Sequence, residues 1–233
     1  YFDSRASYEL VQSSKNSKKA KITYNVMVNE PYVISSVGYL ETGNELDNSI
    51  DSLARADKYY KAGSRYSMDS LNAVRVKIAN VLRNRGYYYF RPEYIEYYAD
   101  STIKKGKIAM RMVKANGIPP AALRRYNTGK ITTVINRYQG AGTPDTIDLG
   151  VKGIMIRNNP LRLNDKIMSQ RLTFREGRTF RVRDMERTQA SLSTMGIFSG
   201  IDIDVTPLDS ITADRNTVDV AINCTMDQPI EAK

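Results

Sequence analysis

No histidine occurs in these 233 residues, and the one cysteine is Cys224. Triads and dyads that use imidazole as a base are therefore absent, as are most zinc ligand sets. Cys224 stands on the alternating apolar face of a strand-like run, where a thiol belongs to the core rather than to a nucleophilic site. Being alone, it forms no internal disulfide. Asp202 and Asp204, two apart on one strand face, could hold a cation or do acid–base work. They alternate with Ile201, Ile203 and Val205, which makes them the polar outer face of a half-buried strand. Gly140-Ala141-Gly142 lacks the third glycine and the following helix of a dinucleotide site. No catalytic residue, metal ligand or cofactor is read from the sequence, and no enzyme.

Binding chemistry is better represented. The formal charge is +10, and from Ser101 to Pro144 there is no Asp or Glu but nine Lys and Arg residues. A one-signed stretch attracts nucleic acid, an anionic membrane surface or an acidic polypeptide, or it is the solvated face of a basic domain. Tyr87-Tyr88-Tyr89-Phe90-Arg91, followed by Tyr94, Tyr97 and Tyr98, could stack on bases beside it. Strands also bury aromatics, and no RNP pattern or GXXG loop accompanies these tyrosines. Nucleic-acid binding is thus the alternative to a second chemistry, strand addition, in which unpaired backbone groups at a sheet edge take an extended client largely independent of its sequence. The candidate edges are Tyr94, Ile95, Glu96, Tyr97 and Tyr98, and Ile201, Asp202, Ile203, Asp204 and Val205.

These segments are edges if the strand that follows each is central. Lys107 to Val113 and Thr217 to Asn223 carry the cleanest period-two signal, with Ile108, Met110 and Met112 in one and Val218, Val220 and Ile222 in the other. Ile22, Tyr24, Val26 and Val28 repeat it near the start of the chain. Three times a pair of extended segments runs up to a proline, at Pro31, Pro119 and Pro229. Twice the pair follows a helix closed by glycine, Leu82 to Gly86 and Leu192 to Gly196, with a leucine four residues before a left-handed cap. The long helices carry apolar stripes at Leu71, Val74, Ile78, Val81 and Leu82, and at Met185, Leu192 and Met195. Shorter helices are expected at about Leu46 to Arg55 and Asn164 to Arg171, each with an aspartate, Asp47 or Asp165, in its first turn. A turn with glycine three residues before an aromatic precedes each long helix: Gly63 with Tyr66, and Gly177 with Phe180. First strands are expected near Tyr32 to Val37 and Tyr126 to Ile131.

Each module thus reads strand, helix, helix, strand, strand, an α+β fold with two helices on one face of a three-stranded sheet. The expected organisation is a closing hairpin of a preceding module at 1–31, modules at 32–118 and 119–229, and the start of a linker at 230–233. On this reading the chain begins inside a module of a longer protein. The segment at about 139–163 is an insertion, expected to be a hairpin that prolongs the first strand. Pro119-Pro120 should stiffen the junction. No run of 18 apolar residues offers a helical membrane span.

The motifs Gly63-Ser64-Arg65-Tyr66, Asn84-Arg85-Gly86-Tyr87-Tyr88, Gly177-Arg178-Thr179-Phe180 and Met195-Gly196-Ile197-Phe198, in this order of elements, resemble the polypeptide-transport-associated (POTRA) repeat. Asn29-Glu30-Pro31-Tyr32, Arg85 through Pro92 and Gly117-Ile118-Pro119-Pro120 look like the periplasmic region of BamA/TamA-family outer-membrane assembly proteins of the bacterial surface antigen type, nearest the TamA-like lipoprotein branch. The resemblance implies modules tethered to the outer membrane in the periplasm, a membrane barrel C-terminal to them, and unfolded outer-membrane or envelope polypeptides as partners. It allows an inner-envelope partner protein as well. It implies no cofactor, and it does not favour nucleic acid.

Overall fold

In the computed structural model, residues 4–13, 16–28, 30–40, 43–136, 143–158, 163–208 and 216–227 are described. Gly140-Ala141-Gly142 and Pro229 lie outside them. The chain divides into two compact units: Tyr1–Ile78 with Pro92–Asn116, and Ala79–Arg91 with Gly117–Lys233.

The first unit opens with a two-stranded hairpin, β1 (Arg5–Ser13) and β2 (Asn16–Met27). Its register sets Ala6 opposite Val26, Tyr8 opposite Tyr24 and Leu10 opposite Ile22, which gathers these side chains on one face. Tyr8, Leu10, Ile22, Tyr24 and Val26 are all exposed. The period-two signal in β2 therefore marks a true sheet face, but one that no helix covers among the described residues.

A three-stranded sheet follows, in the order β3-β5-β4. β3 (Val33–Gly38) runs parallel to β5 (Lys107–Lys114), and β4 (Ile95–Lys104) runs antiparallel to it. The central place of β5 agrees with its alternation: Ile108, Met110 and Met112 are buried. α1 (Glu45–Arg55) starts at Asn44, whose side chain accepts the N–H of Asp47, satisfying one of the first-turn donors that a helix leaves open. Asp47 is itself buried and paired to Lys114 Nζ at 2.8 Å. α2 (Met68–Arg83) places Leu71, Val74 and Ile78 in the core. Ile34, Ile50, Tyr60 and Ile95 of the same unit are also fully buried; the Tyr60 hydroxyl donates to the Gly38 carbonyl at 2.5 Å.

The second unit holds five strands in the order β7-β8-β6-β10-β9. β6 (Asn127–Asn136) runs parallel to the central β10 (Thr217–Met226), and β9 (Phe198–Pro207) closes the sheet antiparallel to β10. The remaining two strands come from the insertion, β7 (Pro144–Asp148) and β8 (Ile154–Asn158). The hairpin does not prolong the first strand. β8 instead lies alongside β6, parallel to it, from Thr132↔Ile154 to Ile135↔Arg157. The module expected to have three strands therefore has five. A physical reason is edge cover, since the pairing satisfies backbone groups that β6 would otherwise leave open.

α3 (Asp165–Arg171), capped by Asn164, and α4 (Val182–Ser193) pack on this sheet. Its core holds Ile131, Ile135, Met155, Phe174, Phe180, Leu192, Val218, Val220, Ile222 and Cys224. Val182 and Thr188 are the inward residues of α4 besides Leu192, while Met185 and Met195 are partly buried against the cluster. Among the described residues no helix is long and apolar enough to cross a membrane.

Candidate functional site

Both sheets have one edge sealed by the chain's own turn. In the first unit Ile34 N–H donates to the Ser64 carbonyl (2.9 Å), Gly63 N–H to the Ile34 carbonyl (2.8 Å) and Tyr66 N–H to the Tyr32 carbonyl (2.8 Å). In the second, Thr128 N–H donates to the Arg178 carbonyl (2.8 Å), Gly177 N–H to the Thr128 carbonyl (2.8 Å) and Phe180 N–H to the Tyr126 carbonyl (2.9 Å). The glycine–aromatic turn thus acts as a short extra strand along the first strand of each unit. Positive φ at Gly63 and Gly177 permits the bend. Phe180 then plugs the core, whereas Tyr66 is only half-buried. In the second unit β8 covers the rest of β6.

The opposite edges are β4 and β9, the strands that carry the two candidate segments. The phase of each ladder decides which backbone groups point outward. In an antiparallel pair, residues alternate between exchanging hydrogen bonds with the neighbour and directing both backbone groups away from it. Leu208 N–H donates to the Thr217 carbonyl at 3.1 Å, so by the register of Asp204↔Ala221 and Asp202↔Asn223 the even-numbered residues of β9 bond β10. Ile201, Ile203 and Val205 therefore turn their N–H and C=O groups away from the sheet. Among the described residues no backbone partner meets them. Pro207 shares this phase, and so withholds a donor where the open edge ends.

The same test places β4. Ala115 N–H donates to the Tyr94 carbonyl at 3.0 Å, and the register continues through Glu96↔Val113 and Tyr98↔Arg111. Ile95, Tyr97 and Ala99 thus face outward with their backbones. This edge is partly occupied, because Arg75 Nη1 donates to the Ile95 carbonyl at 3.4 Å.

Side chains divide the candidates further. Asp202, Asp204, Glu96 and Tyr98 are exposed; Ile201, Ile203, Val205, Tyr94 and Tyr97 are half-buried; Ile95 is fully buried. Tyr97 belongs to the packing: its hydroxyl donates to the Leu71 carbonyl at 3.3 Å, and its ring lies 5.4 Å from that of Tyr60. Burial first, then the neighbouring Tyr60, pushes the Tyr97 phenol well above its ordinary value. Tyr98 carries the Arg111 guanidinium 5.7 Å from its ring centroid.

Most of the rings that could stack on bases are used in packing. Tyr87 and Phe90 are buried. Tyr88 meets Phe180 edge-on at 4.9 Å, and Tyr89 meets Tyr126 at 5.5 Å. These rings, which the sequence left open as base-stacking groups, are core contacts of the second unit. Two members of the basic run are engaged inside the first unit: Lys114 neutralises buried Asp47 and Arg111 covers Tyr98. Cys224 is buried, and desolvation pushes its thiol up to about 11. Among the described residues no group of three or more Cys, Asp or Glu is placed to hold a metal ion. The sequence did not reveal the outward phase of each edge, the Arg75 plug or the sealing turns, because all three are set by register between distant segments.

No protein-family model matches the chain, and no curated protein matches it. Solved structures do. The crystal structure of BamA from Haemophilus ducreyi lacking POTRA domains 1–3 matches 84% of the chain at 15% identity with a TM-score of 0.54, over 30% of its own length. A Haemophilus influenzae BamA POTRA3–5 structure matches 97% of the chain over 73% of its own length, at 15% identity and a TM-score of 0.49. POTRA1–3 of Omp85 from Anabaena matches 96% of the chain and 75% of its own length, at 13% identity and a TM-score of 0.35. At such identities the likeness is one of fold, and the fold of this chain is that of POTRA domains.

Proposed function

We propose that this chain is a polypeptide-guiding part of an outer-membrane assembly or translocation factor, and that it works by adding a client strand to an open sheet edge. One observation carries the proposal: Ile201, Ile203 and Val205 present outward backbone donors and acceptors at intervals of two, on an edge that no described segment covers. Such a row binds an extended chain through main-chain hydrogen bonds, which suits many clients of different sequence. The β4 edge is the second site, weaker because Arg75 already takes the Ile95 carbonyl. The likeness in fold to BamA POTRA domains supports a place on the periplasmic side of the outer membrane, with unfolded envelope polypeptides as clients. Within that family the TamA-like lipoprotein branch is our assignment, on the motifs around Gly86 and Pro119.

In this organisation residues 32–118 and 119–229 are modules, the second with the hairpin insertion at about 139–163. Residues 1–31 are the closing hairpin of another, whose exposed face of Tyr8, Leu10, Ile22 and Tyr24 corresponds to the face that Ile108, Met110 and Met112 bury.

The test is amide exchange on the 233-residue chain with and without an extended peptide of alternating apolar residues. Amides of Asp202 and Asp204, already in the ladder, should be protected throughout. Amides of Ile201, Ile203 and Val205 should gain protection only with peptide. Ile203→Pro should abolish this gain while leaving the ladder intact, whereas Ile203→Ala should preserve it. Protection that rises elsewhere, or a proline variant that binds as well as its parent, would overturn strand addition at β9.

A further inference from the structure

The second unit contains a cleft of about 550 Å³ whose charge is almost wholly of one sign. Lys152 reaches it from the turn between β7 and β8, Arg175 and Arg178 from the loop after α3, and Arg181, Arg183 and Arg187 from the start of α4. Asp184 is the one carboxylate in its lining. Among the described residues none of the five arginines forms an ion pair with a carboxylate. Glu176, which the sequence sets between Arg175 and Arg178, is turned away: its carboxylate accepts the Ile131 N–H at 3.0 Å.

The backbone that carries these cations is braced. Glu176 N–H donates to the Val151 carbonyl (2.9 Å), joining the loop to the insertion. Thr173 N–H donates to the hydroxyl of fully buried Thr188 (3.0 Å), joining the loop to α4. Arg183 N–H donates to Asn84 Oδ1 (2.9 Å), fixing the first turn of α4. The Lys152 ammonium donates to the Leu172 carbonyl. Burial, and then the neighbouring Arg175, pushes that ammonium below its ordinary value, so an anion arriving here relieves repulsion already present.

We propose that this cleft binds a compact phosphate-bearing anion, a phosphomonoester or pyrophosphate group whether free or as a lipid headgroup. Guanidinium forks match phosphate oxygens in pairs, and five of them lining one cleft beside half-buried Lys152 favour a dense, multiply charged group over a single carboxylate. The placement of the cations also distinguishes the site from one for an acidic peptide or a nucleic-acid strand. Its cations converge on one cleft from three elements and are not strung along a single strand or helix face, as contacts to a polymer backbone would be.

The experiment titrates the 233-residue chain with inorganic pyrophosphate by calorimetry at near-physiological ionic strength. In parallel it measures cosedimentation with phosphatidylcholine vesicles that contain or lack phosphatidate. R178Q with R183Q removes two forks from the exposed rim, and K104Q with K105Q removes the same charge elsewhere. Binding to pyrophosphate, to phosphatidate vesicles or to both should fall roughly tenfold or more in the arginine variant, about 1.4 kcal/mol, and change little in the lysine variant. Pyrophosphate binding alone identifies a free anion, and vesicle binding alone a headgroup; either supports the site. Equal losses in the two variants, no binding to either probe, or tighter binding to polyglutamate than to pyrophosphate would overturn it. Amide exchange at β9 is unaffected by this outcome, so the cleft and the strand edge stand or fall separately.

Discussion

Leu82 and Leu192 illustrate how single residues fix the ends of the long helices. Each stands four positions before a glycine with positive φ, Gly86 at +100° and Gly196 at +65°, and each is fully buried. The Leu82 carbonyl accepts both the Arg85 N–H (2.8 Å) and the Tyr87 N–H (3.1 Å), closing the helix with the wrap-around bond of a left-handed cap. Gly86 is required twice over, because a Cβ there would come within 3.2 Å of the Tyr126 carbonyl oxygen, while Tyr126 N–H donates to the Gly86 carbonyl at 2.9 Å. Truncating either leucine should leave a cavity at the anchored end of its helix. Leu82→Ala and Leu192→Ala should each cost about 2–5 kcal/mol, measured by urea denaturation. Costs below about 0.5 kcal/mol, the range of ordinary surface changes, would mean that the stripes are misassigned.

At the scale of elements, local signals were legible and pairing was not. Asn44 and Asn164, the glycine caps and the alternation in β5 and β10 announce themselves within a few residues, because capping and pleating are local physics. The central position of β5 and β10 followed from that alternation, and with it the edge position of β4 and β9. The insertion was misplaced because parallel pairing with β6 leaves no trace in neighbouring residues. Tyr88 and Tyr89 read as a binding platform for a related reason: their partners, Phe180 and Tyr126, lie far along the chain. The arginine cleft is not legible in the sequence because Glu176, Asp184 and Glu186 dilute the charge of its segment, and only the fold turns Glu176 aside.

One element also carries an acid dependence. Burial opposes the charge on Asp57, but Lys77 Nζ at 2.8 Å and the Tyr59 N–H at 2.9 Å outweigh it, so the carboxyl titrates below its ordinary value. A depressed folded pKa contributes stability above the unfolded value, about pH 4, and loses it as pH falls through the folded value. Asp57→Asn should therefore lower the stability of the first unit at neutral pH and flatten its decline below about pH 4, followed by denaturation at stepped pH. An unchanged acid limb would assign that decline to other carboxylates.

At the scale of the whole molecule, the two compact units differ in what their unfolding would expose, and the placement of Cys224 makes the difference readable. The thiol is fully buried in the central strand of the second unit and pushed up to about 11 by desolvation, and the sequence contains no other. A thiol-reactive dye should therefore report on one event, the opening of the β10 region, with no background from the first unit. Slow modification in native buffer should accelerate with urea in step with loss of the second unit's structure, and L192A should accelerate it where L71A leaves it unchanged. Rapid labelling of the native chain would show that β10 opens locally. The chain thus carries its own single-channel clock for the stability of one half, and a cysteine added on the surface of the other half would give the second channel.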